Sequence, residues 1–304
     1  MIKSTAAWLT ICLITVAWAS SLILAKIAFL EGLTPIIFVA LRYTIACPFL
    51  IVAVYMSRRR SRLRGDIRSN WRIILLAGLT GPFLSQVLQY IGLSMTTASE
   101  TILLLNISPV FAVLMAAPVL KEKITSEKIG GLFLAAIGAG LIVLGGAPLN
   151  DAFDPLHLLG NAIVIVSTFL FAVNGIAGKM AVKSVDAVSL TLYSTLFAVP
   201  FIWLSATFTE DITVILQLSM SVWAITLWVG VVNTALAFIL YYNAMNHIEA
   251  SRIQIALNLI TVWGVLMAFL VLGEPLFALQ LVGGALTIIG VIIAHRIREA
   301  APQA

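Results

Sequence analysis

Long apolar runs separated by short polar segments dominate the hydrophobic pattern of this chain. The runs lack the strict alternation of a barrel strand, which favours helices, and a helix needs about 20 mainly apolar residues to cross a bilayer. Turn-forming or charged segments such as Glu31-Gly32 and Gly273-Glu274-Pro275 interrupt the runs. The pattern predicts ten membrane-spanning helices, at about residues 6–28, 34–56, 71–91, 97–119, 127–146, 156–178, 186–207, 219–242, 248–271 and 277–295.

The composition agrees with a chain that lies mostly in lipid. Hydrophobic residues make up 61% of the sequence and charged residues 10%, whereas soluble domains carry roughly 25% charged residues. The longest polar stretch, residues 57–72, is too short to fold as a soluble domain. Lys3 leads straight into a full-length span, so we expect no cleavable signal peptide. The predicted fold class is an all-α integral membrane protein.

Basic residues set the predicted orientation, because cytoplasmic loops of membrane proteins are enriched in lysine and arginine. The loop after the second span is the richest in arginine, and ten spans then place both termini on the same side as that loop. All 18 lysines and arginines except Lys26 and Arg42 fall on this side. We therefore expect a multi-pass protein of the inner (plasma) membrane with cytoplasmic N- and C-termini. The net charge of +5 reflects this topology, and we expect no nucleic-acid partner.

The second half of the chain repeats residue types of the first half at a constant offset of 152 positions. The matching pairs include Ala98-Ser99 with Ala250-Ser251, Pro48 with Pro200, Trp71 with Trp223, Gly78 with Gly230, Tyr90 with Tyr242, Asn106 with Asn258, Glu122 with Glu274, Gly131 with Gly283, and Gly138 with Gly290. Five spans in each half turn the halves upside down relative to each other, as in many secondary transporters. We predict two inverted five-helix repeats, at residues 6–146 and 156–296.

These residues and their spacing resemble the EamA domain of the drug/metabolite transporter superfamily over about residues 7–296. The positions that carry the resemblance are Trp18, Lys26, Arg42, Ala98-Ser99, Pro109, Leu120-Lys121-Glu122, Gly131, Gly138, Lys179, Ala250-Ser251, Leu272-Gly273-Glu274, Gly283-Gly284 and Gly290. Two positions depart from the family pattern. Thr261 stands where the family usually has proline, and Glu100 stands where it usually has a small or apolar residue.

The resemblance implies ten helices around a cavity lined by spans 3, 4, 8 and 9 and by parts of spans 1 and 6. It also implies alternating access without ATP, and export of amino acids, related metabolites or toxic compounds. The sequence has no nucleotide-binding signature, which leaves ion coupling or exchange as the source of energy. In related proteins the glycine-rich fifth and tenth helices serve as scaffold or dimer helices, which allows for a homodimer.

Polar side chains inside a bilayer are costly and usually face a cavity or a partner helix. On this basis we expect the substrate cavity to be lined by Trp18, Gln86, Tyr90, Glu100, Asn106, Asn174, Asn233, Tyr241, Gln254 and Asn258. Amides near the bilayer midplane donate and accept hydrogen bonds, either with a polar ligand or between helices. For Tyr241 the alternative is the interfacial aromatic belt, and for Trp18 it is plain packing.

Glu100 near the predicted outer end of span 4 is the candidate for coupling. It can accept a proton or bind a substrate ammonium group; the alternative is a salt bridge to Lys26 or Arg42. For those two cations we expect a positioning role, in pairs with carboxylates or with carbonyls at helix ends.

The sequence therefore predicts a secondary transporter, an exporter of amino acids or related small metabolites. The alternatives of the same fold are an efflux carrier for toxic compounds or multiple drugs and a metabolite uptake permease, and a channel stays open as well. A membrane enzyme would need a cluster of catalytic groups, and the histidines His157, His247 and His295 lie at helix ends without metal-ligand spacing. We expect no enzymatic activity, no cofactor and no metal, and as partners the small-molecule substrate and the lipid bilayer.

Overall fold

Every element formed by the described residues is a helix in the computed structural model, which describes residues 2–56, 60–108, 110–112, 114–115, 126–145, 154–244, 257 and 259–296. Its α-helices are α1 Ile2–Leu30, α2 Pro35–Met56, α3 Arg60–Gly78, α4 Gln86–Met95, α5 Ala98–Leu105, α6 Ser126–Gly145, α7 Pro155–Ala181, α8 Ala187–Thr209, α9 Met220–Trp228, α10 Ala237–Ala244, α11 Leu259–Met267 and α12 Ala278–Arg296 in these described ranges. Wider π-helical turns occupy Leu79–Ser85, Val229–Leu236 and Ala268–Leu272, and a 3₁₀ helix occupies Ile212–Gln217.

Apolar helices account for the predicted spans. In the ranges that the structure describes, six helical stretches are long and apolar enough to cross a membrane, namely Cys12–Leu30, Pro35–Met56, Arg68–Met95, Pro155–Ala181, Ala187–Thr209 and Met220–Tyr242. Shorter apolar helices stand at the other four predicted positions, namely Ala98–Ala112, Ile129–Gly145, Leu259–Leu272 and Ala278–Gly290. The prediction of an all-α membrane protein is thereby confirmed.

Helix α3 differs from its predicted span in both its start and its continuation. It begins at Arg60 and not near residue 71, because arginine is a good helix former and hydrophobicity marks only the part of a helix that lies in lipid. The chain then passes through the π-helical segment Leu79–Ser85, which contains Pro82, and continues as α4. Proline has no N–H to donate to the regular ladder, and a wider turn accommodates that loss.

The carboxylate of Glu274 caps the N-terminus of α5. Its oxygens accept hydrogen bonds from the backbone N–H groups of Ala98 at 2.8 Å and Ser99 at 2.9 Å, and from the Ser99 hydroxyl at 2.8 Å. A negative charge at this end of a helix also complements the helix dipole. Glu274 therefore joins the segment before α12 to the start of α5, 176 residues earlier in the chain.

Glu210 caps α2 in the same way from the end of α8. It accepts from the backbone N–H groups of Ile36 at 3.0 Å and Ile37 at 2.8 Å, and from the Thr34 hydroxyl at 2.6 Å. Long-range caps of this kind fix where a span begins, because they satisfy N–H groups that have no partner within the helix.

Glu31, in the short connection between α1 and α2, is tied to the start of α9. Its carboxylate accepts hydrogen bonds from the hydroxyls of Ser219 at 2.5 Å and Ser221 at 2.6 Å. These two bonds hold the pKa of the exposed Glu31 carboxyl below its usual range, because they stabilise the charged form.

Glycines at equivalent positions of the two halves make equivalent close contacts. A β-carbon on Gly78 would lie 2.6 Å from the carbonyl oxygen of Ser194, and one on Gly230 would lie 2.8 Å from the carbonyl oxygen of Arg42. The offset of 152 converts each contact into the other, since it relates Gly78 to Gly230 and Arg42 to Ser194. These two packing contacts are therefore reciprocal.

The same reciprocity holds where α6 packs along α12. A β-carbon on Gly138 would lie 2.5 Å from the carbonyl oxygen of Gly283, and one on Gly290 would lie 2.5 Å from that of Gly131. The close approach that the glycines predict is seen here. Gly130 and Gly140, by contrast, have open space beside them.

We expect Gly138→Val to destabilise the protein by about 1–3 kcal/mol, the usual cost of overpacking, because the added side chain meets the backbone of α12. Gly140→Val is the matched control on the same helix, because no described atom outside the local backbone of α6 lies within 4 Å of its added β-carbon. Thermal unfolding of the purified variants in detergent measures the difference. Equal midpoints for the two variants would contradict the packing of α6 on α12.

Candidate functional site

A cavity of about 90 Å³ lies between helices from both halves of the chain. Its polar lining consists of Ser21, Arg42, Gln86, Gln89, Tyr90, Asn106, Ser108, Thr168 and Thr261. Its apolar lining consists of Trp18, Leu22, Ile102, Leu105, Phe171, Phe238, Leu257 and Ile260. Spans 1, 3, 4, 6, 8 and 9 contribute, as the family resemblance implies, and Arg42 adds a contribution from span 2. Of the predicted site residues, Trp18, Gln86, Tyr90 and Asn106 line this cavity.

Arg42 holds the polar residues of the cavity together. Its Nη1 donates to Oε1 of Gln86 at 3.2 Å and to the hydroxyl of Tyr90 at 2.6 Å. Its Nε donates to the Thr234 hydroxyl at 2.9 Å. The Tyr90 hydroxyl also shares a 2.7 Å hydrogen bond with the hydroxyl of Ser21. Gln86 and Tyr90, one helical turn apart on α4, thus meet the same guanidinium nitrogen.

The Arg42 side chain is buried with 2% exposure, and its recorded partners are all neutral. No carboxylate pairs with it among the residues that the structure describes. Its guanidinium carbon lies 5.2 Å from the ring centre of Tyr43 and 5.3 Å from that of Tyr90, so two aromatic faces offset part of the desolvation cost. The sequence predicts only a positioning role for Arg42. The charge of Arg42 inside an apolar span is the sequence feature that indicates a place in the cavity as well.

Asn106 contributes a second polar group to the cavity. Its Oδ1 accepts a 2.8 Å hydrogen bond from the hydroxyl of Thr261, the residue that replaces the usual proline of the family. Its buried Nδ2 has no hydrogen-bond partner in the described part of the chain, and the same holds for the hydroxyl of Ser108. Both atoms belong to residues that line the cavity. A polar ligand is the natural partner for such groups.

Aromatic rings form an apolar wall around Trp18. Its ring centre lies 5.3 Å from that of Phe238, 6.2 Å from that of Phe171 and 5.2 Å from that of Tyr241. The indole Nε1 donates to the backbone carbonyl of Asn233 at 3.1 Å. Tyr241 is only 1% exposed, so it belongs to this wall and not to an aromatic belt at the lipid surface.

Asn174 and Asn233 connect helices behind the cavity wall. Oδ1 of Asn174 accepts from the Tyr242 hydroxyl at 3.4 Å. Nδ2 of Asn233 donates to the backbone carbonyl of Ala17 and, at 3.3 Å, to the hydroxyl of Ser20. Neither asparagine is among the cavity-lining residues, and Tyr241 is not either. These contacts are of the interhelical kind that the sequence left open, while Nδ2 of Asn174 and Oδ1 of Asn233 are buried without a partner in the described part of the chain.

Glu100 lies in a buried polar cluster apart from the residues that line the cavity. Its Oε2 accepts from the hydroxyls of Thr96 at 2.5 Å and Thr97 at 3.1 Å, and its Oε1 accepts from the Asn161 amide at 3.4 Å. Nε2 of His157 lies 2.8 Å from Oε2 of Glu100. Glu100 and His157 are thus two ionisable side chains that meet in this cluster.

Lys26, one of the two cations considered as partners of Glu100, lies beside this cluster. Its Nζ donates to the backbone carbonyl of Thr96 at 2.6 Å, at the C-terminal end of α4. This is the pairing with a helix-end carbonyl that the sequence predicts for Lys26. Arg42, the other candidate partner, makes its recorded hydrogen bonds within the cavity network.

Gln254 and Asn258, the remaining predicted site residues, lie outside the described residues, as do Glu122 and the pair Ala250-Ser251. Within the described ranges, no three His, Cys, Asp or Glu side chains are placed to hold a metal ion. The described lining residues offer hydrogen bonding, the positive charge of Arg42 and aromatic contact.

Fold and cavity together define a multi-pass helical membrane protein with a small chamber of mixed polar and aromatic character. The EamA-like transporter family model matches residues 5–144 and again residues 158–295. The chain therefore belongs to the EamA-like transporter family, in agreement with the resemblance seen in the sequence.

Several relatives share nearly the whole length of the chain. An "Uncharacterized transporter" of Archaeoglobus fulgidus is 28% identical over 289 residues, which cover 94% of this chain and 96% of the relative. A "Probable terminal-alkyne amino-acid exporter" of Streptantibioticus cattleyicolor is 28% identical over 294 residues, covering 96% of this chain and 94% of that protein. A crystal structure with 18% sequence identity covers 96% of both chains with a TM-score of 0.66, which shows a common fold.

Proposed function

We propose that this protein is a secondary transporter that exports amino acids or related small metabolites by alternating access, without ATP. The observation that carries the proposal is the cavity, where hydrogen-bonding groups and aromatic rings from both halves of the chain surround about 90 Å³. Cavities for drug-sized ligands are larger, at roughly 300–1,000 Å³. The volume therefore favours a small metabolite over the multidrug alternative. The relative described as a probable amino-acid exporter supports the same substrate class.

A growth screen followed by counterflow tests this function. Cells that overproduce the protein are grown with high concentrations of single amino acids and analogues. Protection indicates export, and sensitisation indicates the uptake permease. The purified protein is then reconstituted into vesicles loaded with the unlabelled compound, and entry of labelled compound is measured against protein-free vesicles. A carrier shows acceleration by internal substrate, whereas a channel does not. Transport of bulky drugs but of no amino acid would favour the multidrug alternative.

We further propose that residues 6–146 and 156–296 are two inverted repeats in a ten-span topology, with both termini cytoplasmic. The reciprocal glycine contacts support a twofold relation between the halves. Helix bounds support it too, since the offset of 152 carries α2 at 35–56 onto 187–208, where α8 spans Ala187–Thr209. An odd number of spans in each half converts that relation into inversion across the membrane.

Labelling of single cysteines tests the orientation, in a background with Cys12 and Cys47 replaced by alanine. We expect Ser61→Cys, in the arginine-rich segment, to resist an impermeant thiol reagent added outside intact cells, because basic segments stay cytoplasmic. Thr213→Cys, in the connection after α8, is the matched outer position and should react. Reaction at residue 61 from outside would refute the proposed orientation.

For the energy source, we propose that the Glu100–His157 pair couples export to protons. Glu100 is fully buried, and the charged groups around it are His157 at 2.8 Å, Lys26 through Thr96, and Glu274 at the same end of α5. Helix α5 connects the Glu100–His157 pair to the cavity, because Glu100 lies near the start of this helix and the cavity-lining Asn106 follows its end. A change in protonation at one end of this short helix thus acts on a wall of the cavity.

Replacing Glu100 with glutamine is expected to remove most of the pH dependence of transport, because the side chain at this position can then no longer gain or lose a proton. Glutamine preserves the size and neutral hydrogen bonding of the side chain. Initial transport rates across the pH series provide the measurement, and Glu31→Gln, an exposed glutamate outside the cluster, is the control. An unaltered pH profile in Glu100→Gln rules out this coupling site.

A further inference from the structure

We propose that Arg42 is the receptor for a carboxylate group of the substrate, and that the cavity accepts small carboxylic acids with an apolar body whether or not they carry an amino group. This inference rests on the proposed transport function and specifies its substrate class. It would extend the substrates from amino acids to the corresponding organic acids without an ammonium group.

The first argument is the unbalanced charge of Arg42. Its hydrogen bonds from Nε and Nη1 end on the neutral oxygens of Thr234, Gln86 and Tyr90. A buried charge in a membrane protein normally pairs with an opposite charge or lines a substrate path. A carboxylate entering the cavity supplies the missing opposite charge. The planar guanidinium suits that group better than an ammonium does.

The second argument is the kind of polar atoms left over in the cavity. The unpartnered Nδ2 of Asn106 is a donor, because the Thr261 hydroxyl donates to Oδ1 of the same amide. The unpartnered hydroxyl of Ser108 is able to donate as well. A carboxylate offers only acceptors, so an excess of donors matches it. The cavity is thus complementary to an anionic group and not to a cationic one.

The third argument is that the lining contains no acidic residue in the described part of the chain. Glu100, the carboxylate considered for a substrate ammonium, is engaged by Thr96, Thr97, Asn161 and His157 outside the lining. An ammonium group would therefore find no opposite charge among the lining residues that the structure describes. The apolar body of the ligand has Trp18 and its aromatic neighbours to pack against.

The fourth argument is the broken symmetry of the two halves. At the offset of 152, the position equivalent to Arg42 is Ser194, and the position equivalent to Gln86 is Phe238. The second half thus has a small hydroxyl and an aromatic ring where the first half has a cation and its amide partner. Among the described lining residues, Arg42 thus carries the one positive charge, which suits a ligand with one carboxylate and one apolar portion.

Direct binding to the full chain in lipid nanodiscs tests the inference without relying on transport. The probes are leucine, 4-methylpentanoate and leucinamide, which present both charged groups, the carboxylate alone and the ammonium alone on the same aliphatic body. Isothermal titration calorimetry measures each dissociation constant. We expect leucine and 4-methylpentanoate to agree within about tenfold, and leucinamide to bind at least about thirtyfold more weakly, the factor for losing one partner of a buried charge pair.

Two variants test whether the Arg42 side chain causes the preference for a carboxylate ligand. Arg42→Gln should abolish the discrimination between 4-methylpentanoate and leucinamide, and Arg42→Lys should retain part of it. Lys26→Gln, which removes a cation that lies outside the lining, should leave it unchanged. Thermal unfolding verifies that each variant is folded. If Arg42→Gln does not fold, the comparison of the three ligands on the unmodified chain still tests the preference for a carboxylate.

The outcomes separate this inference from the proposed function. Three results would each overturn the role of Arg42. Leucinamide binds as tightly as leucine, neither leucine nor 4-methylpentanoate binds at millimolar concentration, or folded Arg42→Gln keeps the preference for 4-methylpentanoate over leucinamide. Binding of 4-methylpentanoate together with a failure of every amino acid in counterflow would contradict the export of amino acids while leaving the carboxylate receptor in place.

Discussion

Replacing Asn106 with alanine is expected to lower the transport rate per folded molecule by about tenfold or more. The residue lines the cavity, and its buried Nδ2 is without a partner among the described residues, so the substrate is the group that it can bind. A hydrogen bond between a buried amide and a ligand contributes on the order of 1.5 kcal/mol, which corresponds to about a tenfold change. Initial rates of counterflow, normalised to the amount of folded protein, measure the effect.

Thr261→Val is the companion to this variant, because it removes the hydroxyl that donates to Asn106 and keeps the shape of the side chain. If the amide only connects α11 to the chain that follows α5, both variants should reduce thermal stability equally and leave the normalised rate unchanged. That pattern would contradict a role in binding. If the amide binds substrate, Asn106→Ala should impair transport more than Thr261→Val, which only frees the amide to rotate.

Replacing Glu274 with alanine is expected to lower the free energy of unfolding by about 2–3 kcal/mol, the cost of leaving buried donors unsatisfied. Ala98 and Ser99 are almost fully buried, and the carboxylate is the recorded acceptor for both of their N–H groups. Loss of the cap also removes a favourable charge from the end of the helix dipole. Thermal unfolding in detergent and the yield of monodisperse protein report the change.

Glu31→Ala serves as the control, because Glu31 is an exposed glutamate that accepts only from side-chain hydroxyls. We expect its effect to stay below about 1 kcal/mol, as for surface positions. Glu274→Gln should fall between the two, since the amide still accepts one bond but turns a donor toward the second N–H group. Equal stability of the Glu274 and Glu31 alanine variants would contradict the capping role.

The hydrophobic pattern was sufficient to predict an all-helical membrane fold and the positions of six long apolar helices, because the interior of a bilayer requires long apolar stretches whose backbone groups are hydrogen-bonded within the helix. It did not predict that α3 extends back to Arg60, nor that π-helical turns occupy Leu79–Ser85 and Val229–Leu236. A helical segment outside the lipid does not require a run of apolar residues, so the hydrophobic pattern does not reveal it. The width of a turn inside a span depends on contacts with neighbouring helices, such as the close contacts at Gly78 and Gly230.

The candidate site was predicted in part. Polarity inside a span identified Gln86, Tyr90 and Asn106, which line the cavity, but equally Asn174 and Asn233, which bond to neighbouring helices. The reason is that a buried amide is satisfied by a ligand or by another helix, and sequence spacing does not distinguish these partners. Whether Gln254 and Asn258 belong to the cavity stays a prediction.

The sequence by itself determined the class of this protein. Its apolar runs specify an all-helical membrane fold, and its motifs specify the family, because the energy of placing a residue in lipid depends mainly on that residue and its helix. Only the tertiary structure decided which polar groups face a common space. It placed Arg42 in the cavity and Glu100 in the His157 cluster. Such partnerships depend on how distant helices are rotated and packed, and no local segment of the chain encodes that rotation alone.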